Sequence, residues 1–514
     1  MKLLLVFATI ILFPAFILCV DPASDCLALK DNLHLENTTI IDAEYISSPA
    51  NVTTPGTCQS SAPVNTPLCR VQFVIVTTNT SAVHAEAWLP DIWYGRFLGV
   101  GNGGLNGCVN YVDLDYGTSL HFATIGSDNG HDNANGIVFL NHPEVINDFA
   151  WRAIHVEAVI GKQIVDAYYG TPPAKSYFLG CSTGGRQGTQ SALKFPEDFD
   201  GIVGGSPATD WNHLLGWENM ITHYLGATTL NASDNTSPKL ITSDLWPLVS
   251  AEVIRQCDAL DGVVDGIITE PDGCDFRPEA LQCTGTNTTG CLTSIQVETL
   301  KTSTPPIRIG RTTNLSPISP GAEADTIFGP YLLGGALFEV ASDWQIYAVL
   351  NATEYDFSNF SREDIVLSQS VNAGGIATFD GDMSAFRDRG GKFITYHGRR
   401  DPLISSTNSK RVYDLISHTL SIPSLDDFYR LFLVPGMSHC SLGIGSPFFG
   451  QGTFAGTNVV NSSSHNVLLA MVDWVEGGVS PDEIIGSGAD GSTRAHCRYP
   501  KRSVWNGTEF ICEK

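Results

Sequence analysis

The sequence predicts an α/β protein: a parallel sheet covered by helices on both faces and interrupted by a large insertion. Three observations predict it. Short apolar runs alternate with helical patterns from about Ile125 to Gly205, the rhythm of strands joined by crossover helices. One of these runs, Tyr177-Phe178-Leu179, stops at Gly180-Cys181-Ser182-Thr183-Gly184-Gly185-Arg186, where a strand turns sharply into a helix. The rhythm then lapses near Pro207 and returns only after Asp388.

In chain order, residues 1–20 read as a cleaved secretory leader: Lys2 is its positive start and residues 3–18 are mostly apolar. No other run approaches the ~18 apolar residues needed to span a bilayer. Residues 26–76 are rich in Thr, Asn and Pro, with strand-like alternation over 69–76. Residues 85–90 and 96–100 read as further strands. The last runs into Gly101-Asn102-Gly103-Gly104-Leu105-Asn106-Gly107-Cys108, a loop able to offer backbone N–H groups to an oxyanion, or simply a tight connection. A phosphate loop is excluded because no Gly-Lys-Ser/Thr ending follows. A helix over 151–169 carries Ile154, Ala158, Val165 and Tyr169 near helical spacing and stops at Gly170. The helix after the turn runs from Arg186 to about Phe195, and 202–205 is the next strand. Residues 207–388 hold helical pieces, four cysteines, clustered glycosylation signals and Pro-rich loops, which suits an inserted lid domain. Strands resume over 391–398 and 429–434, and a late helix covers 465–477. The catalytic domain therefore comprises 21–206 and 389–514.

Composition narrows the class. A net charge of −25 argues against nucleic-acid partners, which need clustered Lys and Arg. Of thirteen cysteines, Cys19 falls in the leader and the even remainder suits full pairing in an oxidising compartment; no C-x-x-C pair suggests metal thiolates. Asn37, Asn51, Asn79, Asn231, Asn235, Asn287, Asn351, Asn359, Asn461 and Asn506 each open an N-x-S/T signal. These features point to a secreted, extracellular protein.

Gly180-x-Ser182-x-Gly184 is common by chance, but its strand–turn–helix context is that of a nucleophile elbow, whose small residues permit a strained backbone. Two later strand ends add partners: Tyr396-His397-Gly398-Arg399-Arg400-Asp401-Pro402 and Val434-Pro435-Gly436-Met437-Ser438-His439-Cys440. Ser182, Asp401 and His439 thus follow the Ser…Asp…His order of α/β-hydrolases. In ester hydrolysis His439 would take the proton of Ser182 and return it to the leaving alcohol, while Asp401 fixes the imidazole tautomer. Asp401 could instead cap the helix after Pro402. His131, His155, His397 and His418 are the rival histidines; they read as structural, with His131 the one placed to line a pocket. Cys181 precedes Ser182 and Cys440 follows His439. If those cysteines pair, their Cα atoms lie about 4.4–6.8 Å apart, with each catalytic neighbour ~3.8 Å of chain away. One bridge would then hold nucleophile and base together.

Cys181-Ser182, Asp401 and His439-Cys440 resemble the paired Cys-Ser/Asp/His-Cys signature of the tannase and feruloyl esterase family. Residues 101–104, 195–202 and 389–392 resemble it too, and the likeness covers nearly the whole mature chain. It implies an α/β-hydrolase core, a large lid and hydrolysis of phenolic-acid esters. The expected substrates are feruloyl and related hydroxycinnamoyl esters of plant cell-wall polysaccharide such as xylan. The alternatives are a tannase acting on gallate esters and an inactive binding protein on the same scaffold. The expected oxyanion donors are the N–H groups of Thr183, Gly103 and Gly104. The resemblance also implies calcium in the lid, held by side chains of Asp258, Asp261 and Asp265 and carbonyls of Val263 and Ile267; the same carboxylates could make Asx turns without metal. It carries no organic cofactor, and a monomer or homodimer is expected. Cys257 and Cys274 would close the acidic loop, and Cys283–Cys291 and Cys497–Cys512 are local pairs. Cys26–Cys69 and Cys58–Cys108 follow the family pattern, although spacing alone leaves the connectivity open.

Overall fold

The computed structural model describes residues 21–513 except 57, 286–288, 304–306, 310–312, 316–317 and 455–458. The expected leader lies outside the described residues. Nine strands share one sheet: β1 (Thr38–Ile46), β2 (Leu68–Thr78), β3 (Ser81–Pro90), β4 (Arg96–Val100), β5 (Phe122–Ser127), β6 (Lys175–Cys181), β7 (Gly201–Gly205), β8 (Lys392–Gly398) and β9 (Tyr429–Val434). Their order is β1-β2-β3-β5-β4-β6-β7-β8-β9.

The sheet is mixed, which corrects the all-parallel expectation. From β5 to β9 every neighbour is parallel, but β1, β2 and β3 run antiparallel, and β3 also meets β5 antiparallel. The reason is connection length. Thr78 pairs with Ser81, so only Asn79 and Thr80 join β2 to β3. That suffices for a hairpin, whereas a parallel crossover needs about a dozen residues.

Alternation along the strands sends successive side chains to opposite faces. Tyr177 and Leu179 join Leu98, Val203 and Ile394 on one face, while Phe178 joins Phe97, Ile202 and Phe393 on the other. The first face is covered by α1 (Tyr111–Ser119) and by α7, introduced below; the second takes α2 (Ala153–Tyr169), α3 (Thr183–Lys194) and the later α6. Each large apolar side chain buried this way contributes roughly 1.5–3 kcal/mol. A π-helical turn, Asp148–Arg152, precedes α2, and Gly170 ends that helix with φ 70° as its sequence position predicts. This layered sheet with its strand–elbow–helix unit is the α/β-hydrolase fold.

Between β7 and β8 the chain forms α4 (Trp211–Tyr224), α5 (Trp246–Cys257) and shorter helices, and no described residue there joins the nine-stranded sheet. This insertion has its own apolar core, including Trp211, Trp217, Trp344, Leu332 and Ile365. Phe139 and Phe149 after β5 and Leu403 and Ile404 after β8 belong to the same core. The insertion is therefore seated over the carboxyl ends of the strands, where an open α/β sheet places its site. After β8 come α6 (Thr407–Leu420) and α7 (Val467–Gly477). Asn466 caps α7 by accepting from Leu468 N–H at 3.0 Å and Leu469 N–H at 3.1 Å.

Candidate active site

Ser182 stands between β6 and α3 with φ 63° and ψ −119°, a strained conformation for a residue with a side chain. The helix begins at Thr183, three residues before the sequence-based start at Arg186, because the sharp turn is completed within Ser182 itself. Glycines make the turn possible. A Cβ at Gly180 would lie 2.8 Å from the Gly184 carbonyl carbon, and one at Gly185 would lie 2.4 Å from Gly205 O. Ser182 N–H donates to Gly205 O at 2.9 Å, while its own carbonyl accepts from Ala208 N–H at 3.2 Å. The backbone is thus held on both sides, and the half-buried side chain stands at the sheet's carboxyl end.

Asp401 and His439 meet at the tips of β8 and β9. His439 Nδ1 lies 2.8 Å from Asp401 Oδ2. Since a carboxylate only accepts, Nδ1 carries the proton and Nε2 is left as the accepting nitrogen. Asp401 Oδ1 accepts from Leu403 N–H and Ile404 N–H, each at 2.9 Å. Asp401 thus makes a local turn with one oxygen and faces His439 with the other; the next helix starts only at Thr407, so Asp401 caps none. Burial pushes the Asp401 carboxyl up, but the opposed charge of His439 and hydrogen bonds from His397 and His439 outweigh it and hold the group well below the usual carboxylate range. Phe328, from the insertion, packs edge-on against His439 with ring centroids 5.3 Å apart.

Cys181 and Cys440 are bonded, with Cα atoms 5.8 Å apart at a sequence separation of 259. Ser182 and His439 are the chain neighbours of that bridge. The other five expected pairs are also formed: Cys26–Cys69, Cys58–Cys108, Cys257–Cys274, Cys283–Cys291 and Cys497–Cys512.

The glycine-rich loop after β4 lies against the elbow. A Cβ at Gly101 would come 2.7 Å from Gly184 Cα. Gly101 N–H is committed to Leu179 O at 2.9 Å and Asn102 N–H to Gln187 Oε1 at 3.0 Å. Gln187 also donates to Asn102 Oδ1 at 2.9 Å, and Thr183 Oγ1 donates to Gly104 O at 2.7 Å. These contacts dock loop to helix and spend the first two amides, which turns attention to Gly103 and Gly104. Sequence reading missed Asn102 and Gln187, whose pairing across 85 residues leaves no local signal.

The rival histidines sit elsewhere or serve differently. His131 is buried, its Nε2 2.8 Å from Leu105 O and its ring against Phe139 and Phe149, so it braces the glycine-rich loop. His155 pairs with Asp198 at 2.9 Å, and His418 is exposed on α6. His397 reaches Asp401 Oδ2 at 3.3 Å.

In the acidic loop, Asp261 Oδ1 accepts from Val263 N–H and Asp265 Oδ1 from Ile267 N–H, each at 3.0 Å, and Asp258 receives Gly266 N–H. The Asx turns are real. The second oxygens of Asp261 and Asp265 stay outside them, and Asp265 is pushed up by burial and also by Asp261 and Asp258. A hard cation would relieve that repulsion, so the donor chemistry fits calcium. Among the described residues no three His, Cys, Asp or Glu side chains gather into a group that could hold a metal ion; a cation here would also need the carbonyls of Val263 and Ile267.

Asn37, Asn51, Asn79, Asn231, Asn351, Asn359, Asn461 and Asn506 are exposed, and Asn287 lies outside the described residues. Asn235 is half-buried, and its amide nitrogen donates to Gly335 O at 2.9 Å. No described helix is long and apolar enough to cross a membrane.

A family model described as tannase and feruloyl esterase matches residues 69–311 and 341–512. A probable feruloyl esterase B of Aspergillus clavatus is 40% identical over 498 residues, covering 94% of this chain and 93% of the relative. The crystal structure of feruloyl esterase B from Aspergillus oryzae superposes with a TM-score of 0.89 at 37% identity, over 96% of this chain and 100% of that one. A tannin acyl hydrolase from Aspergillus niger shares the fold at TM-score 0.72 and 21% identity, over 96% of this chain and 94% of that one. With a serine elbow, an Asp–His pair on the neighbouring strand tips and similarity along almost its whole length, the chain belongs to the tannase and feruloyl esterase family.

Proposed function

We propose that the protein is a secreted serine esterase that releases ferulic and related hydroxycinnamic acids from plant cell-wall polysaccharide. The observation that carries this reading is the Cys181–Cys440 bridge, flanked on one strand tip by strained Ser182 and on the other by His439 with Asp401 at 2.8 Å.

The chemistry follows from the donors. Ser182 Oγ attacks the ester carbonyl carbon as His439 Nε2 takes its proton. The imidazolium so formed faces Asp401, which stays ionised. The oxyanion is received by the N–H of Thr183, at the free start of α3, and by Gly103 and Gly104. His439 returns the proton to the departing sugar hydroxyl, and water then repeats the cycle on the acyl-enzyme. The choice of hydroxycinnamate over gallate rests on the likeness to feruloyl esterases at about twofold higher identity than to the tannin acyl hydrolase. Calcium at Asp258, Asp261, Asp265, Val263 and Ile267 is a structural element of this reading, as are glycans on the exposed acceptors.

A panel of methyl ferulate, caffeate, p-coumarate, sinapate and gallate tests it, together with a fluorophosphonate label. Fastest turnover on the cinnamates and an adduct on Ser182 are expected. Preference for gallate would make the protein a tannase, and absence of both turnover and adduct would make it a binding protein.

A further inference from the structure

We propose that His397 is a positioning residue for this esterase: its Nε2–H fixes the oxygen of Asp401 on which His439 depends. The inference rests on the triad reading above and extends it to a second histidine.

The geometry leaves His397 few options. It is completely buried near the end of β8, four residues before Asp401. Nε2 lies 2.8 Å from Ile404 O and 3.3 Å from Asp401 Oδ2. Both are pure acceptors, so Nε2 must carry a proton; its hydrogen bond runs to Ile404 O, and Asp401 Oδ2 lies just beyond it. Nδ1 lies 2.7 Å from Ser409 Oγ on α6, a contact that stops the ring from flipping. The ring is thus locked at both ends, with its N–H directed to Ile404 O and Asp401 Oδ2 3.3 Å from the same nitrogen.

A bland account exists: a core histidine satisfied by Ser409 and the Ile404 carbonyl would need nothing more. The contact with Asp401 goes beyond it, because it falls on Oδ2, the same oxygen that His439 Nδ1 touches. Oδ1 is already fixed by Leu403 and Ile404 N–H. Oδ2 takes one well-formed hydrogen bond, from His439 Nδ1, and the His397 N–H, 3.3 Å away, adds a second positive edge facing the same oxygen. The carboxylate can neither pivot away from His439 nor collect a stray proton as the imidazolium forms. Glu218 lies within electrostatic reach of Asp401, and burial together with that charge keeps its carboxyl protonated, so it adds no negative charge beside Oδ2.

The test compares three variants for kcat, KM and thermal melting. His397→Gln places an amide N–H near the position of Nε2. His397→Asn reaches Ser409 but not Asp401, and His397→Leu removes all polar contact. We expect the Asn and Leu variants to lose kcat by roughly 10- to 100-fold, as loss of supporting hydrogen bonds commonly does, with KM within about twofold. The Gln variant should recover most of the loss. In an Asp401→Asn background, His397→Asn should cost no further activity, because the group it positions is gone. Full kcat in His397→Asn, equal losses in Gln and Asn, or an undiminished further loss in the Asp401→Asn background would each overturn the proposal. If Leu fails to fold, the Gln and Asn pair decides. Asp401→Asn with parental activity would instead remove the triad reading itself, so the two failures are told apart.

Discussion

Asp401 at the tip of β8 and Glu218 on α4 of the insertion are both buried carboxyls, 1% and 2% exposed, and each lies within the other's electrostatic reach. Their surroundings differ completely. Asp401 is met by two backbone N–H groups and two imidazoles and is held ionised. Glu218 has an oxygen, Oε2, with no partner among the described residues, and burial pushes its carboxyl far above the usual range. The backbone explains the contrast. Where a strand ends in a turn, amides are released and can point at a side chain; inside a helix they are already spent on the helix. Other groups of the insertion share the condition of Glu218: the indole N–H groups of Trp211, Trp217 and Trp344 and Gln345 Nε2 are buried without partners among the described residues. Each such group costs about 1–3 kcal/mol unless water or a ligand meets it. Ser206 Oγ, Tyr396 Oη, Arg399 Nε and Ser438 Oγ at the sheet end are buried without partners among the described residues too, so the contrast is one between Asp401 and Glu218 and not between whole regions.

The strongest way to break this comparison is Ser182→Ala. Turnover should fall by at least ~10³-fold while the circular dichroism spectrum and melting temperature stay close to the parent's. Near-parental hydrolysis would falsify the assignment of chemistry to the sheet end. Next comes the bridge. Replacing Cys181 and Cys440 by alanine opens a loop closed at a sequence separation of 259, worth roughly 5 kcal/mol in the chain-entropy model. Activity followed alongside circular dichroism during reduction should vanish before secondary structure does. Simultaneous loss would mean that the bridge only supports the fold.

How legible each region was in the sequence follows from the same physics. The elbow could be read because its requirements are local: Gly180, Gly184 and Gly185 leave room where a Cβ would strike backbone. Asp401 and His439 could be read because strand ends carry them in a fixed order, and their cysteine neighbours marked the pairing. The antiparallel edge was hidden because a two-residue turn at Asn79-Thr80 resembles any other surface loop. The Asn102–Gln187 clamp and the Phe328–His439 contact were hidden because they join segments brought together only by the finished fold. His397 was visible as a residue but not as a donor, since its role depends on which of its nitrogens faces Asp401.

A smaller effect is expected at the joint between the regions. Arg399, buried two residues before Asp401, binds Glu270 and Asp272 from the acidic loop's flank, both at 3.1 Å. Lys410 also holds Asp272 at 2.7 Å. Burial would raise the Asp272 carboxyl, but Arg399 and Lys410 bring it down to about 2. If the proposed calcium is bound there, chelation should lower the melting temperature by several degrees and reduce kcat only a few-fold, because Arg399 ties the loop's flank to the strand tip. An unchanged melt, together with no calcium in elemental analysis, would detach the loop from the site.

The finest test is the linkage of the two carboxyls to pH. Asp401 sits below its usual 3.8, so it stabilises the fold above that value and the contribution disappears as pH falls. Glu218 sits above its usual 4.5, so the sign reverses: its favourable contribution is present below about 4.5 and is lost as pH rises, because a proton must be kept on a group that would ionise in the unfolded chain. Glu218→Gln keeps the shape of the neutral acid and cannot ionise. Its melting temperature should match the parent's near pH 4 and exceed it near pH 8, by an amount on the order of 1–3 °C. A lower melting temperature at pH 8 would mean that Glu218 is ionised and paired in the native protein, as Asp401 is.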